Sequence, residues 1–350
     1  MSNFLKIEDI ETIVELIEEE RVFFENKKIA ISGAFGFIGK YILESLLLIK
    51  KNKNFNISIY AIDNFITSNK NLEKYYNQKG IKCINHDINN KINLNVEFDI
   101  VICLAGIASP YYYNKYPIET LNVSINGLKN MFELNHNKDT KFIFFSSSEI
   151  YGDPPAEQIP TKETFRGYVT SIGPRSCYDE SKRVGETLCY INSTYFNKKT
   201  AIIRPFNVYG PGMSLNDYRI IPNITRSLIY GEELKIYDTG NQTRTYCYIT
   251  DAINGFLKVI AKDEKFGVYN IGNNKGEISV IDLVTTTEKV MKEKIKYKIT
   301  SYPQEYPPDE PRRRCPNLEN AKKNLNYTPI VSLEKGLASH LRWSQKNIKN

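Results

Sequence analysis

The chain has 350 residues, and its 41% hydrophobic content is enough to bury a sizeable core in one large domain or two closely joined ones. The net charge of +7 is spread without a long basic block, which argues against nucleic-acid binding. No apolar run approaches the ~18 residues of a membrane span, and the six cysteines form no Cys-x-x-Cys pair. We therefore expect a cytoplasmic protein with reduced thiols, no metal site and no membrane contact.

An N-terminal segment, residues 7–22, has the apolar spacing of an amphipathic helix and is expected to serve in packing or dimer contacts. The apolar run at 28–32 is typical of a buried parallel strand, and it leads directly into Gly33-Ala-Phe-Gly-Phe-Ile-Gly39. Glycines at such a strand-to-helix turn let the backbone approach a pyrophosphate at the helix N-terminus. The residues predicted to bind a dinucleotide at this turn are Gly33, Gly36, Phe37, Ile38 and Gly39.

A second apolar strand, residues 57–62, ends in Asp63 and Asn64. This is about where an acidic residue contacts the adenosine ribose in dinucleotide-binding folds. A carboxylate there favours NAD over NADP, because it repels a 2′-phosphate. We therefore predict that both residues bind the cofactor and that the cofactor is NAD.

Strands and helices alternate along the first two-thirds of the chain. Further strands are expected near 81, 98–104, 141–146 and 200–204, with helices that include 118–135 and 178–196. This alternation predicts an α/β fold with a doubly wound parallel sheet of the Rossmann type. Beyond Arg204 the pattern is mixed and punctuated by proline and glycine. The predicted division is an N-terminal helix at 1–27, an NAD-binding Rossmann domain at 28–203, and a smaller mixed α/β substrate-binding lobe at 204–350.

Tyr178 and Lys182 stand four residues apart in a helix-forming segment, which places both side chains on one helical face. A lysine beside a tyrosine is expected to lower the phenol's pKa from its reference of about 10, because nearby positive charge favours phenolate. Next to a nicotinamide, such a pair can take a proton from a sugar hydroxyl while the ring accepts the hydride. The Tyr-x-x-x-Lys pattern is common by chance. It indicates a redox site here because a predicted dinucleotide-binding turn lies upstream in the same chain.

Several further motifs accompany these residues. They are Asp63-Asn-Phe-Ile-Thr67, Asn85-His-Asp87, Ser146-Ser-Ser-Glu-Ile-Tyr-Gly-Asp-Pro154, the stretch 172–183, Gln242-Thr-Arg244 and Asp309-Glu-Pro-Arg-Arg-Arg314. With them the chain resembles the extended short-chain dehydrogenase/reductases, also called the NAD-dependent epimerase/dehydratase family. Within that family it most resembles the UDP-glucuronate decarboxylases, and the resemblance covers roughly residues 28–344.

The resemblance implies a reaction and a set of residues for it. UDP-glucuronate would be oxidised at C4, lose its C6 carboxylate as CO₂ and be reduced again to UDP-xylose. Tyr178 would act as the base, Lys182 would tune it, and Ser147 would hold the same hydroxyl. Ser148 and Glu149 would arrange protonation at C5, and Arg244 matches an arginine that faces the sugar carboxylate. The other implied residues are Asp87, Ile88, Leu104 and Ala105 at the cofactor, and Asn207, Arg219 and Arg314 around the nucleotide diphosphate.

The chain departs from the decarboxylase pattern at three places: Ser124 replaces an asparagine, Gly212 replaces an arginine, and the loop after Leu104 is changed. Two alternatives therefore stay open. One is a nucleotide-sugar 4,6-dehydratase or 4-epimerase with Glu149 as the C5 base, and the other is a catalytically silent NAD-binding scaffold. Relatives pair the helices at 118–135 and 178–196 across a four-helix interface, so the resemblance also implies a homodimer.

Overall fold

The computed structural model describes residues 4–134, 137, 139–302 and 311–348. The strands are β1 (Lys28–Ser32), β2 (Ser58–Asp63), β3 (Lys82–Asn85), β4 (Ile100–Cys103), β5 (Lys141–Phe145), β6 (Lys199–Pro205), β7 (Val208–Tyr209), β8 (Leu234–Tyr237), β9 (Thr243–Arg244), β10 (Cys247–Tyr248), β11 (Phe266–Ile271), β12 (Ile278–Ser279), β13 (Tyr297–Thr300) and β14 (Arg313–Arg314). The α-helices are α1 (Ile7–Leu16), α2 (Phe37–Lys53), α3 (Asn71–Gln78), α4 (Pro110–Lys115), α5 (Pro117–Asn122), α6 (Leu128–Glu133), α7 (Ser176–Tyr195), α8 (Ile220–Tyr230), α9 (Ile249–Ala261), α10 (Val280–Met291), α11 (Glu319–Leu325) and α12 (Leu333–Ile348).

Seven strands of the described chain form one sheet in the order β11-β6-β5-β4-β1-β2-β3. Every neighbouring pair in this sheet runs parallel. The strand order reverses between β1 and β4, and ligands of such sheets bind in the crevice outside the carboxyl ends at that point. The predicted doubly wound parallel sheet is therefore confirmed.

The sheet is covered on both faces, as a parallel sheet requires. Ile29 and Ile31 of β1 pack into the larger apolar cluster together with α2 and α9. Ala30, between them, faces a second cluster that includes Phe142 and Phe144 of β5. Because successive strand residues point to opposite faces, β1 contributes to two separate cores, and the residues between the exposed Lys28 and Ser32 are all apolar.

Residues beyond 204 divide between the two parts of the molecule. The pair β8–β13, the pair β7–β10 and the three-stranded group β12-β9-β14 form the smaller lobe with α8 and α10. In contrast, β11 joins the main sheet beside β6, and α9 packs against both strands. The division of the chain at residue 204 stays a prediction, and the main sheet includes a strand from the later segment.

Two predicted helices differ from the observed ones. The helix expected over 7–22 ends at Leu16, and a 3₁₀ turn at Glu20–Phe24 follows, which buries Phe24. The helix expected over 118–135 consists of α5, a π-helical turn at Val123–Gly127 and α6. Its predicted last residue, Asn135, lies outside the described residues, as do the chain ends and the first two residues of the 309–314 motif. In the part of the chain that the structure describes, no helix is both long and apolar enough to cross a bilayer.

Helix α1 packs against α2 and α9 and is anchored by a buried polar contact. The Tyr248 hydroxyl donates a hydrogen bond of 2.7 Å to Asp9 Oδ2, and Ser339 Oγ lies 2.7 Å from the same hydroxyl. Burial raises the pKa of the Asp9 carboxyl above its usual range, although the Tyr248 hydrogen bond opposes this. A buried acceptor of this kind depends on its donor. This agrees with the packing role expected for the N-terminal segment.

Replacing Tyr248 by phenylalanine is expected to lower the free energy of unfolding by about 1–3 kcal/mol, because Asp9 loses a buried hydrogen-bond donor. Urea unfolding followed by circular dichroism would measure the change. The matched control is Tyr230→Phe, which removes the hydroxyl of a 55% exposed tyrosine and should leave the unfolding midpoint where it is. Equal midpoints for the two variants would contradict the anchoring role of Tyr248.

Candidate active site

One cleft runs along the carboxyl edge of the sheet, from the glycine turn after β1 to the smaller lobe. Every residue predicted for the site lines it. They come from the carboxyl ends of β1 to β5 and the residues that follow, from α7, from the segment between β6 and β7, from the start of α8, and from β9 and β14 of the smaller lobe. Because these elements meet at one edge, the fold brings together residues that lie far apart in the sequence.

The turn between β1 and α2 requires glycine at two positions. Gly33 has φ +67°, and a Cβ atom there would lie 2.6 Å from Ala105 Cα. A Cβ atom on Gly39 would lie 2.4 Å from the Ala34 carbonyl oxygen. Gly36 stands at the N-cap of α2 and has no side chain to cover the first-turn N–H groups of Phe37 and Ile38. This cradle fits a pyrophosphate at the start of a 17-residue helix.

Asp63 ends β2 beside this turn and is largely buried. Its Oδ2 accepts a hydrogen bond of 3.0 Å from the Phe35 N–H, while its Oδ1 accepts from the Phe65 N–H at 2.8 Å and from Ser68 Oγ at 2.9 Å. The carboxylate is therefore held in a fixed position at the expected ribose subsite. Further along the cleft, Asp87 Oδ1 accepts a hydrogen bond from the Asn89 N–H at 2.9 Å.

Changing Asp63 to asparagine is expected to reduce the preference for NADH over NADPH by about 10-fold, because the charge that repels a 2′-phosphate is lost. The two dissociation constants can be measured by nucleotide fluorescence. Asp87→Asn is the matched control, because it removes another carboxylate from the same cleft at the end of the next strand. A ratio that changes equally in both variants would show that general charge, and not Asp63, determines the preference.

Tyr178 and Lys182 lie near the start of α7 and are both buried. Lys182 Nζ donates a hydrogen bond of 2.9 Å to the Phe145 carbonyl oxygen and lies 5.7 Å from the centre of the Tyr178 ring. A Cβ atom on Gly106 would be 2.9 Å from that nitrogen, so a larger residue there would displace the Lys182 ammonium group. The structure thus places the two side chains together on the cleft side of α7, as their spacing predicted.

The predicted direction of the tyrosine pKa is wrong. Burial raises the pKa of the Tyr178 phenol to about 12, although its hydrogen bond with Ser147 acts in the opposite direction. Burial also lowers the pKa of Lys182 to about 8. Both shifts have the same cause, since a low-dielectric site disfavours the charged form of each group. At neutral pH Tyr178 is therefore a neutral phenol.

The second residue after β5, Ser147, caps a short 3₁₀ turn over Ser148–Tyr151, and Ser148 and Glu149 are the first two residues of that turn. Ser147 Oγ accepts a hydrogen bond of 3.2 Å from the Glu149 N–H, which holds the turn in place. Ser148 is buried below it. The turn directs Glu149 toward the smaller lobe.

The Glu149 carboxylate lies between two arginines from opposite sides of the cleft. Arg314 of β14 donates two hydrogen bonds to it, at 2.5 and 2.6 Å, and Arg175 at the start of α7 donates another. Burial alone would raise the pKa of this carboxyl, but the charges of Arg314, Arg175 and Arg244 outweigh it and hold the pKa below its usual range. Glu149 is therefore an ionised carboxylate that connects the Rossmann domain to the smaller lobe.

Sequence reasoning did not assign a role to Arg175. It is 7% exposed, and its Nε also lies 3.6 Å from Asp179 Oδ2. The available signal was its position three residues before Tyr178, at the beginning of the same helix. Arg314 was predicted to lie near the nucleotide diphosphate, and that role stays a prediction; the structure shows its hydrogen bonds to Glu149.

The other predicted substrate residues lie on the far wall of the cleft. Arg244 donates hydrogen bonds to the carbonyl oxygens of Pro311 and Arg312, at 2.5 and 3.1 Å, and is buried. Arg219 forms an ion pair with Asp217 at 2.5 Å. Asn207 donates from Nδ2 to the Thr245 carbonyl oxygen at 2.9 Å. Among the described residues, no group of histidine, cysteine or acidic side chains is arranged to hold a metal ion.

A glycine cradle on a Rossmann sheet, a fixed carboxylate at the ribose position, and a buried tyrosine and lysine beside it define an NAD-dependent enzyme. The pattern of the NAD dependent epimerase/dehydratase family matches residues 29–272, and the chain belongs to that family.

Individual relatives are similar over most of their length. UDP-glucuronic acid decarboxylase 6 of Arabidopsis thaliana is 34% identical over 92% of this chain and 90% of its own. UDP-glucuronic acid decarboxylase 5 of the same plant is 36% identical over 89% of this chain and 87% of its own. The crystal structure of UDP-glucuronic acid 4-epimerase from Bacillus cereus, solved with UDP-glucuronic acid and NAD, superimposes with a TM-score of 0.73 at 26% identity, covering 91% of this chain and 99% of the epimerase.

Proposed function

We propose that the protein decarboxylates UDP-glucuronate to UDP-xylose through a transient 4-keto sugar. The observation that carries this proposal is that Arg175 and Arg314 bind a carboxylate, that of Glu149, in the same cleft that Tyr178 lines. Planar guanidinium groups bind carboxylates through paired hydrogen bonds. A site with such groups next to a proton-transfer residue suits a uronic acid substrate. The similarity to decarboxylases of UDP-glucuronic acid supports the same reading.

In this proposal Tyr178 takes the proton from the C4 hydroxyl of the sugar, and Ser147, which is hydrogen-bonded to the phenol, orients that hydroxyl. NAD, when bound, supplies the hydride acceptor. The raised pKa of Tyr178 makes a free phenolate scarce at neutral pH, so proton transfer accompanies oxidation and does not precede it. Lys182 lies beside the phenol and the Phe145 carbonyl, where its charge stabilises the developing phenolate.

Loss of CO₂ leaves an enolate that must be protonated at C5. The lowered pKa of Glu149 makes its carboxylate a poor proton donor at neutral pH. We therefore assign to Glu149 the orientation of the two arginines, and we propose that Ser148, the residue before it on the same turn, helps to arrange the proton donor. Arg244, Arg219 and Asn207 are proposed to bind the carboxylate or diphosphate end of the nucleotide sugar from the far wall.

We also propose a cytoplasmic homodimer. Helices α5 and α7 contact each other and present exposed apolar side chains, among them Ile118 and Tyr190 at 64% and 51% exposure. A helix pair with an apolar outer surface can bury it against a second copy. Analytical ultracentrifugation at micromolar concentration tests the dimer, and a monomer at that concentration would contradict it.

The cytoplasmic location is supported by the cysteines. All six are free thiols, which suits a reducing compartment.

A UDP-glucuronate 4-epimerase is the second candidate, because the Bacillus cereus enzyme of that name shares the fold over 91% of this chain. It would use the same oxidation at C4 but return the hydride to the opposite face of the ketone with the carboxylate retained. The two candidates differ in one observable, the fate of C6.

The test is to incubate the purified protein with NAD⁺ and UDP-glucuronate labelled with carbon-13 at C6. The expected result is labelled CO₂ and a UDP-pentose identified by mass spectrometry. Loss of water without CO₂ would indicate a dehydratase, and an unchanged mass with a new sugar configuration would indicate the epimerase. Either result, or no reaction, would overturn the proposed decarboxylation.

A further inference from the structure

Three residues on successive turns of α7 contact three consecutive residues at the end of β5. Tyr178 is hydrogen-bonded to Ser147, and Lys182 Nζ donates to the Phe145 carbonyl oxygen at 2.9 Å. The third contact lies one turn further, where Ser146 Oγ donates to Glu186 Oε1 at 2.6 Å. Because residues four apart lie on one helical face, these contacts form a single line along the helix.

Glu186 is also paired with an arginine on the neighbouring strand. Arg204 of β6 donates to both of its oxygens, from Nε at 2.8 Å and from Nη2 at 2.6 Å. The remaining nitrogen of Arg204 donates to the Tyr151 hydroxyl at 2.6 Å and to the Glu163 carbonyl oxygen at 2.8 Å. The pair is largely buried, with side-chain exposures of 9% and 14%. Two parallel hydrogen bonds fix both the distance and the orientation of the partners.

The helix lies unusually close to the sheet at this point. A Cβ atom on Gly185 would lie 2.3 Å from the Phe144 ring, so the residue before Glu186 must be glycine. The carboxylate of Glu186 is bound by Ser146, just after β5, and by Arg204 of β6, so it ties α7 to two neighbouring strands.

We infer that Glu186 is a positioning residue for the redox site: held by Arg204 and Ser146, it sets where Tyr178 and Lys182 stand over the end of β5. The inference rests on the proposed function in assigning the chemistry to those two side chains. No contact between Glu186 and the substrate is required, since it acts through the position of α7.

The same carboxylate influences the charge of Lys182. The groups that face Lys182 are Tyr178 and Glu186 from α7, Cys103 from β4, and the Phe144 ring and Phe145 carbonyl from β5. Burial lowers the pKa of Lys182 to about 8, while Cys103 and Glu186 act to raise it. Burial raises the pKa of the Cys103 thiol, which is therefore neutral at pH 7. Glu186 thus supplies the negative charge, and removing it should lower the pKa of Lys182 further.

The first experiment is independent of turnover. The carbon-13 signal of the Lys182 side chain is followed by NMR from pH 6 to pH 11, with Lys182→Arg used to assign it. In Glu186→Gln the titration midpoint should move to lower pH. Glu180→Gln is the matched control, because Glu180 lies on the same helix in a partly exposed pair with Arg183. In this variant the midpoint of the Lys182 titration should equal that of the wild type. An unmoved midpoint in Glu186→Gln overturns the electrostatic part of the inference.

The second experiment measures kinetics on UDP-glucuronate. In Glu186→Gln we expect kcat to fall by about 10- to 100-fold, because small displacements of reacting groups are costly. KM should stay within about threefold, since binding contacts are untouched, and the alkaline limb of the kcat profile should move to lower pH. Glu186→Asp keeps the charge but shortens the side chain, so it should lower kcat while the Lys182 titration stays near that of the wild type.

The outcomes separate the two proposals. A folded Glu186→Gln with wild-type kcat and an unmoved alkaline limb overturns the positioning role. If that variant does not fold, Glu186→Asp decides, and kcat within about twofold of wild type would overturn it. If the wild-type protein does not turn over UDP-glucuronate, the proposed function fails, while the NMR titration still tests the effect of Glu186 on Lys182.

Discussion

Replacing Tyr178 by phenylalanine is expected to lower kcat by about 10²- to 10⁴-fold, the usual contribution of a positioned acid–base group. The ring would keep its place against Tyr113, with which it stacks at a centroid distance of 5.6 Å, so only the proton-transfer group is lost. Carbon dioxide release and UDP-pentose formation would be measured at saturating substrate. The dissociation constant for NADH should stay within about threefold of the wild-type value.

Tyr111→Phe is the matched control for this change, because it removes a hydroxyl from a 41% exposed tyrosine in the tyrosine run after Pro110. Its kcat should equal that of the wild type within experimental error. A Tyr178→Phe enzyme that retains wild-type turnover would remove the phenol from the mechanism. It would also remove the reason for assigning Lys182 and Ser147 to the redox step.

Changing Glu149 to glutamine is expected to affect both activity and stability. The amide cannot balance Arg175 and Arg314, so two buried guanidinium groups lose their shared carboxylate. Breaking a buried ion pair costs about 3–5 kcal/mol of unfolding free energy. Turnover should fall by about 10²-fold or more, because the two arginines on opposite sides of the cleft are no longer held in position by the carboxylate that they share.

The stability difference has a defined pH dependence. The pKa of Glu149 lies below its usual range in the folded protein, so its carboxylate stabilises the fold above the ordinary carboxyl pKa of about 4.3. That contribution is lost as the pH falls through the lower folded value. Wild type and Glu149→Gln should therefore differ most near neutral pH and converge in acid.

Denaturant titrations at pH 7 and at pH 3 would measure this convergence. Glu119→Gln serves as the control, since Glu119 is an exposed carboxylate that also lines the cleft. It should change neither the unfolding free energy nor its pH dependence. Parallel stability curves for wild type and Glu149→Gln across that range would show that Glu149 does not bridge the two arginines in solution.

The parts of the site that depend on local sequence could be predicted. The backbone of one turn requires Gly33 and Gly39. Asp63 could be predicted from its place at the end of β2, and the proximity of Tyr178 and Lys182 from their spacing along a helix. Each of these follows from a pattern contained within a few residues. The doubly wound sheet followed from the same kind of pattern, repeated along the chain.

The missed features depend on distant parts of the chain. Glu149 meets Arg314 across 165 positions of sequence, and no periodicity connects the two. The direction of the Tyr178 pKa shift was missed for a related reason, because desolvation depends on everything that packs around a group and not on one neighbour. The place of β11 at the sheet edge is also non-local, since its apolar pattern alone does not identify its partner, β6.

The late position of β11 and β14 in the chain has a consequence for biosynthesis. A nascent polypeptide can begin to assemble the nucleotide-binding half as it leaves the ribosome. The sheet gains its last edge strand only when residues up to Ile271 have emerged, and Glu149 gains Arg314 some forty residues later. An interrupted translation product that stops between these points should therefore contain the complete sheet and the glycine turn but turn over no sugar, because Glu149 lacks Arg314.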